Sequence, residues 1–254
     1  MIEYFFLGLL QGVTEWLPVS SKAQVMIAGQ SMGMAPEAAF DLAVFLHIGT
    51  VIAALIYFRK DLMSLFSMQK RYLLRFLVVS LLFTGLVGLP VYFGVVKPFL
   101  ASAGENSGDP IALMVGVLLV TTGLIQWRIK VKDRAEKSAT TKDSVIAGIF
   151  QGLAAMPGLS RSAMTTSALF MRGFDTKAAL RLSFMMSIFA VAAADIGLQV
   201  RGGFDVTTPA LVGVVGSFVS GLLSIGLMIR LTEKVKPWKF LIGFGMLTMG
   251  LVLL

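Results

Sequence analysis

Long apolar runs alternate along the chain with short segments that hold most of its charged residues. A run of about 20 apolar residues can cross a bilayer as a helix, which satisfies its own backbone hydrogen bonds in lipid. Hydropathy this strong is not typical of barrel strands, whose residues alternate. The pattern therefore predicts an all-α integral membrane protein. The predicted spans are residues 39–58, 73–94, 111–127, 178–199 and 209–229, and a sixth that ends at Leu254.

The composition supports this class. Hydrophobic residues make up 56% of the chain and charged residues 14%, whereas soluble domains are about 45–50% apolar and about 25% charged. The net charge is +8, but the basic residues occur in blocks between apolar runs. That arrangement indicates membrane topology and not nucleic-acid binding. The absence of cysteine excludes disulfides, thiolate nucleophiles and cysteine metal sites.

The basic blocks predict which loops face the cytoplasm. The loop after Phe58 and the linker at residues 128–137 are rich in Lys and Arg and are predicted to lie inside. Residues 97–109 and the loop around Gly202 are then predicted to lie outside, as are both termini. The linker divides a single membrane domain, residues 1–254, into halves at 1–127 and 143–254.

Two polar segments interrupt this pattern. Gly8–Gln24 and Gly148–Met164 each carry Gln-Gly, then a proline, then Ser followed by a basic residue. If their surroundings, residues 2–34 and 144–172, crossed the membrane as ordinary spans, the sidedness of the neighbouring loops would reverse. We therefore predict two re-entrant helix-turn-helix hairpins.

Each half then has one hairpin and three spans. Three is an odd number, so the two halves are predicted to be inverted-topology repeats.

Glu15 is the first candidate for chemistry. A carboxylate at membrane depth costs about 2.5 kcal/mol or more, so it is retained for a reason. Gln11 lies four residues earlier, on the same helical face, where the amide and the carboxylate could meet at a metal ion or a proton. The alternative is that Glu15 is a structural partner of Lys22 or Arg161.

The residues after the two prolines are candidates for anion binding. Hydroxyls, a cation and backbone N–H groups at the start of a helix favour a phosphate, and Arg161 can bind one through two parallel hydrogen bonds. The alternative is that the small residues only allow close helix packing. The candidates besides Arg161 are Ser20, Ser21, Lys22, Gly158, Ser160, Ser162 and Thr165.

Four more ionisable residues lie in or near spans. His47, the single histidine, could donate a proton to a leaving group or could be a hydrogen-bonded spacer. Asp41 and Arg181 occupy similar places in the two halves and are predicted to pair. Asp195 has no assigned role.

These motifs resemble the bacitracin-resistance family of undecaprenyl-diphosphate phosphatases over nearly the whole chain. The resemblance is based on two motifs, Gln11-Gly-Val-Thr-Glu15, which continues to Ser21, and Pro157-Gly-Leu-Ser-Arg-Ser-Ala-Met-Thr165. The resemblance implies six spans with two re-entrant hairpins and an enzyme of the cell membrane. It also implies hydrolysis of a polyprenyl diphosphate on the outer side, and a divalent cation, Mg²⁺ or Ca²⁺.

By resemblance, Glu15 is an essential acid and Ser21 a proposed nucleophile. Arg161 with Ser160 and Thr165 is then expected to bind phosphate. Two positions depart from the family pattern: Gln11 replaces a second acid, and Gln24 stands where many members have a histidine.

The main hypothesis is a phosphatase in which Ser21 attacks the terminal phosphorus or positions the attacking water. Glu15 would act as base or as metal ligand. The alternative is a transporter or flippase of polyprenyl phosphate that uses the same anion-binding hairpins. The expected partners are a lipid diphosphate substrate and membrane lipid, with a homodimer left open and no nucleic acid. The active site is predicted to open outward.

Overall fold

The computed structural model describes residues 1–65, 67, 70–103, 108–200 and 206–252, and the regular structure in these ranges is helical. One isolated bridge joins Arg134 and Phe174. The α-helices are α1 (Ile2–Thr14), α2 (Ser21–Ser31), α3 (Pro36–Tyr57), α4 (Arg59–Ser64), α5 (Arg71–Val91), α6 (Lys97–Ser102), α7 (Gly108–Arg128), α8 (Thr141–Leu153), α9 (Arg161–Met171), α10 (Thr176–Val200), α11 (Thr208–Lys234) and α12 (Pro237–Val252).

Five helices are long and apolar enough to cross a membrane, which confirms the all-α membrane class. One of them is longer than predicted, because a π-helical segment, Tyr92–Val96, joins α5 to α6 without a break. The sixth predicted span corresponds to α12, whose described part has only 16 residues. Six spans therefore stay a prediction. The predicted end of that span, Leu254, and most of the loops around Glu105 and Gly202 lie outside the described residues.

Each motif segment forms two short helices with an irregular break between them. The break between α1 and α2 contains Pro18, and the break between α8 and α9 contains Pro157. The four helices have 13, 11, 13 and 11 residues, fewer than the roughly 17 that a span requires. The helix-break-helix order agrees with the predicted hairpins, while their re-entrant course through a bilayer stays a prediction.

Helices from the two halves pack against each other at glycines. α1 packs along α11, where a Cβ on Gly8 would lie 2.0 Å from the backbone oxygen of Gly213. α8 packs along α5, where a Cβ on Gly148 would lie 2.5 Å from the backbone oxygen of Ser80. Each half thus supplies the surface on which the first motif helix of the other half rests.

We expect the substitution Gly8→Ala to destabilise the protein, because the new methyl group would push α1 away from the α11 backbone. Overpacking of this kind costs about 1–3 kcal/mol. The measurement is denaturant unfolding of the purified chain in detergent. The matched control is Gly243→Ala, because a Cβ there meets nothing within 4 Å and alanine has the better helix propensity. Equal stability of the two variants would contradict the packing argument.

Ion pairs attach the basic linker to the second half of the chain. Asp143, which is fully buried, accepts hydrogen bonds from Arg134 at 3.0 and 2.6 Å and from Arg172 at 2.6 Å. It also completes a capping box with Thr140 at the start of α8. The linker is therefore held against the base of the second hairpin.

The predicted pairing of Arg181 with Asp41 is wrong. Arg181 instead forms ion pairs with Asp61, in α4, and with Glu136, in the linker, the latter at 3.2 Å. The reason is that Arg181 lies in the second turn of α10, where the guanidinium reaches the α4 and linker carboxylates.

Asp143 should make stability depend on pH. Burial alone would raise the pKa of Asp143, but the hydrogen bonds from Arg134, Arg172 and Thr140 hold it well below its usual range. A carboxyl with a lowered pKa stabilises the folded state above the unfolded value, which is about 3.9, and loses that contribution as the pH falls further.

We expect Asp143→Asn to cost about 2 kcal/mol at neutral pH, because two arginines lose their charged acceptor. The variant should also lose less stability than the unmodified chain between about pH 5 and pH 3. Thermal unfolding across that range is the measurement. Parallel pH profiles for the two proteins would contradict this role.

Candidate active site

Glu15 is the centre of the polar cluster. Its Oε2 accepts hydrogen bonds from Gln11 Nε2 at 2.9 Å and from Ser21 Oγ at 2.6 Å. Its Oε1 accepts one from Arg161 Nη2 at 2.6 Å. His47 Nε2 lies 3.2 Å from Oε2. Glu15 is only 6% exposed, so these contacts are made away from bulk solvent, where charged hydrogen bonds are strongest.

The break after α1 brings Ser21 back to Glu15. Glu15 is the C-cap residue directly after α1, and Ser21 is the first residue of α2. Between them Ser20 has φ 59° and ψ 71°, a left-handed conformation that costs a residue with a Cβ about 1–2 kcal/mol. The break is buried, and Trp16 anchors it by donating to the Gly221 carbonyl at 3.0 Å. Irregular backbone in a membrane protein is tolerated where protein buries it in this way.

Lys22 connects the two motif segments. Its ammonium donates to the carbonyls of Ala155 at 2.9 Å and Ala154 at 3.4 Å, at the C-terminal end of α8. That end of a helix carries partial negative charge, which favours a cation. The ammonium also lies 5.2 Å from the ring centroid of Phe40. One of its three N–H groups remains for a ligand.

The start of α9 places Arg161 beside Glu15. Ser160 caps α9 and accepts from the Ala163 backbone N–H at 3.4 Å, so Arg161 is the first helical residue. Ser162 donates to the Leu17 carbonyl at 3.4 Å, which joins the second hairpin to the first. Arg161 Nη1 is buried and has no hydrogen-bond partner among the described residues. The guanidinium therefore has a spare donor for an anion.

These groups line one cavity of about 650 Å³, within the usual size of a ligand pocket. The rest of the wall is mainly apolar and comes mostly from α5 and α10, but it also contains Thr84, Lys97, Gln151 and Asp195. The predicted site residues in its wall are Glu15, Ser20, Ser21, Lys22, His47, Ser160, Arg161 and Ser162.

Three predicted residues lie behind the cavity wall. Gln11 is fully buried and contacts the ligand space only through Glu15. Thr165, also fully buried, donates to the Arg161 carbonyl at 2.9 Å and bonds Ser183. Gly158 has φ 95° and packs against α7, where a Cβ would lie 3.0 Å from Val115. The structure thus places Thr165 and Gly158 where they support the loop that carries Arg161.

His47 reaches the cluster from α3. Its Nδ1 lies 2.7 Å from the Ala43 carbonyl oxygen, and its Nε2 faces Glu15. Both ring nitrogens therefore face acceptors, which is the arrangement that a doubly protonated ring satisfies. The sequence left open whether His47 is a proton donor or a spacer. The structure places its Nε2 beside the Glu15 carboxylate.

The cavity wall also contains Asp195, for which the sequence predicts no role. It is 6% exposed, and neither carboxylate oxygen has a hydrogen-bond partner among the described residues. The only sequence signal for Asp195 is an acidic residue within a span, which by itself predicts importance but not location.

Comparison with known proteins gives the family. A sequence profile described as bacitracin resistance protein BacA matches residues 4–250. The chain belongs to the BacA family. An undecaprenyl-diphosphatase of Methanococcoides burtonii is 35% identical over 97% of this chain and 96% of its own. Proteins of the same name from Methanothrix thermoacetophila and Haloarcula marismortui are 36% and 38% identical, over 100% and 94% of this chain and 97% and 92% of their own.

Gln11 and Gln24, the two residues that differ from the pattern expected of the family, have defined contacts in the structure. Gln11 donates to Glu15, so the amide at this position stabilises the ionised form of the Glu15 carboxylate. Gln24 donates to the Val19 carbonyl, in the break between α1 and α2, at 3.2 Å. An imidazole does reach Glu15, but it is that of His47 and comes from α3.

Proposed function

We propose that this chain hydrolyses undecaprenyl diphosphate to the monophosphate and inorganic phosphate, recycling a lipid carrier for cell-envelope polymer synthesis. The observation that carries the proposal is the Ser21 hydroxyl, which donates to a buried carboxylate 2.6 Å away, with the spare N–H of Arg161 in the same cavity wall. A nucleophile, a base and an anion-binding cation are the parts that transfer of a phosphoryl group to Ser21 requires. The names of the relatives point to the same reaction.

The diphosphate binds at the polar end of the cavity. Arg161 Nη1 and the remaining N–H of Lys22 hold its oxygens, and the hydroxyls of Ser20 and Ser160 add donors, whereas the Ser162 hydroxyl already donates to the Leu17 carbonyl. Fixed donors of this kind stabilise charge that develops on the transferring phosphoryl group and need little reorganisation during the reaction.

The first chemical step transfers the terminal phosphoryl group to Ser21. Its Oγ forms a bond to phosphorus while the bridging P–O bond breaks, and its proton passes to Glu15 Oε2. His47 donates a proton to the departing oxygen of the lipid monophosphate. In the second step water attacks the phosphoserine, its proton passes to His47, and Glu15 returns its proton to Ser21. If Ser21 only positions a water molecule, Glu15 takes the proton of that water instead.

The apolar part of the cavity accommodates the start of the isoprenoid chain. Its walls are formed by Leu81, Gly85 and Leu89 of α5 and by Val191 and Ala194 of α10. Burial of a CH₂ group in such surroundings contributes about 0.8 kcal/mol. This lining supports a lipid diphosphate over a small soluble one.

The divalent cation, Mg²⁺ or Ca²⁺, belongs to the proposal. Among the described residues no group of three or more His, Asp and Glu side chains could hold a metal ion. Glu15, the predicted ligand, already accepts from four neighbours, one of them the Arg161 guanidinium. A cation therefore fits this cavity only if the diphosphate supplies most of its ligands. When bound, it would neutralise phosphate charge.

The predicted topology belongs to the same proposal. Six spans, two re-entrant hairpins and inverted halves at 1–127 and 143–254 would place the termini outside and open the cavity outward. The packing of α1 on α11 and of α8 on α5 supports equivalent roles for the two motif segments.

The test uses the purified full chain with a long-chain isoprenyl diphosphate and Mg²⁺. We expect release of inorganic phosphate, and none from the isoprenyl monophosphate. The transporter alternative requires the anion site but no nucleophile. Substrate binding without phosphate release, together with lipid movement in vesicles that survives Ser21→Ala, would overturn the phosphatase in its favour.

A further inference from the structure

Asp195 is a buried acidic residue in the wall of the ligand cavity. It lies in α10, is 6% exposed, and has two oxygens without hydrogen bonds in the part of the chain that the structure describes. An uncompensated buried charge costs several kcal/mol. The proposed chemistry at Ser21 does not use Asp195, so its retention needs another explanation.

The position of Asp195 is set by the packing of α10 against α3. One turn before it, Val191 shares a small void with Glu15 and Thr50. This void shows that α3 and α10 are neighbours close to Glu15. Asp195, His47 and Glu15 all line the same cavity. It therefore faces the reacting end of the cavity.

An ionised carboxylate in this wall would conflict with the binding of an anion. The diphosphate would meet the negative charge of Asp195 in a region of low dielectric constant, where like charges repel strongly. A divalent cation between them removes the conflict, because carboxylate and phosphate oxygens are the ligands that Mg²⁺ prefers. Glu15 is less suited to this position, since the Arg161 guanidinium on its Oε1 would repel a second cation.

We infer that Asp195 is the carboxylate ligand of a divalent cation that binds together with the diphosphate. The inference rests on the proposed function, because the phosphate oxygens complete the coordination shell. With one protein carboxylate, the cation binds weakly to the free protein and more tightly once the diphosphate is present. Asp195 holds the cation on the side of the diphosphate that Arg161 and Lys22 do not cover.

The test measures Mn²⁺ binding by electron paramagnetic resonance, in the full chain in detergent, with and without a non-hydrolysable isoprenyl methylenediphosphonate. In the unmodified chain the analogue should raise the Mn²⁺ affinity at least about tenfold. Asp195→Asn should abolish that gain, since even an outer-shell partner of a metal is worth about 10–100-fold in affinity. The matched control is Asp41→Asn, the same change at a half-buried carboxylate of α3 that does not line the cavity.

Equal Mn²⁺ affinity of Asp195→Asn and the unmodified chain in the presence of the analogue would overturn the inference. That result would mean that Asp195 is a neutral hydrogen-bond donor, which asparagine imitates. If Asp195→Asn does not fold, anomalous scattering from Mn²⁺ in crystals of the unmodified chain with the analogue decides. A peak in direct contact with Asp195 supports the inference, and a peak elsewhere refutes it.

The proposed function is tested separately, by phosphate release from the natural type of substrate. If the unmodified chain releases phosphate but the Mn²⁺ affinity does not change in Asp195→Asn, only the metal assignment fails. If no phosphate is released with Mn²⁺ or Mg²⁺ present, the proposed function fails.

Discussion

Arg161→Ala is expected to lower the rate of phosphate release about 1,000-fold, which is the size of effect associated with an arginine that stabilises a transferring phosphoryl group. Two losses combine in this variant. The spare Nη1 donor disappears from the cavity, and Glu15 loses its 2.6 Å ion pair. The measurement is a comparison of kcat and kcat/KM on a long-chain isoprenyl diphosphate.

Two further variants make the Arg161 result interpretable. Arg161→Lys keeps the charge but not the planar fork, so it should recover only a small part of the lost rate. Arg128→Ala removes an exposed arginine at the end of α7, outside the cavity wall, and should leave the rate unchanged. An unchanged rate in Arg161→Ala would refute the site assignment.

Ser21→Ala is expected to reduce phosphate release by about 1,000-fold or more if Ser21 is the nucleophile, since removal of a nucleophile disables the whole catalytic unit. In that case the double variant with Glu15→Gln should be little slower than Ser21→Ala alone, because the two residues act together. Rapid quenching of the unmodified chain with labelled substrate should also trap a phosphoserine.

Ser31→Ala is the matched control. Ser31 lies at the end of the same helix, is exposed, and donates only to the nearby Ala28 carbonyl at 2.8 Å. It should retain full activity. A loss of only about tenfold in Ser21→Ala, without a trapped phosphoserine, would show that Ser21 positions the attacking water, whereas no loss would remove it from the mechanism.

The sequence was most informative where it departed from ordinary membrane-helix composition. Lipid is a poor environment for Glu15, Lys22 and Arg161, so their presence near prolines and serines predicted one polar site from two distant segments. The structure brings these segments together, with Arg161 donating to Glu15 across 146 positions of the chain. The family, the helical class and five spans followed from the same patterns.

The details that depend on how helices cross were not predictable. His47 and Asp195 approach the site from α3 and α10, and nothing in their own neighbourhoods shows which face of each helix turns inward. The same uncertainty produced the incorrect pairing of Arg181 with Asp41. Thr165 shows the limit of a motif, because its hydroxyl contacts the Arg161 carbonyl and Ser183 behind the cavity wall and does not line the cavity.

The packing of α1 against α11 has a consequence for the order of synthesis. α1 leaves the ribosome well before its partner α11, which begins only at Thr208. At about 5–20 residues per second, roughly 200 residues take about 10–40 s. During that time the glycine face of α1 and the break that carries Glu15 lack the α11 surface against which they pack. The first half of the chain is therefore inserted in the membrane before its catalytic loop can assemble. The enzyme becomes active only when the last third has been inserted.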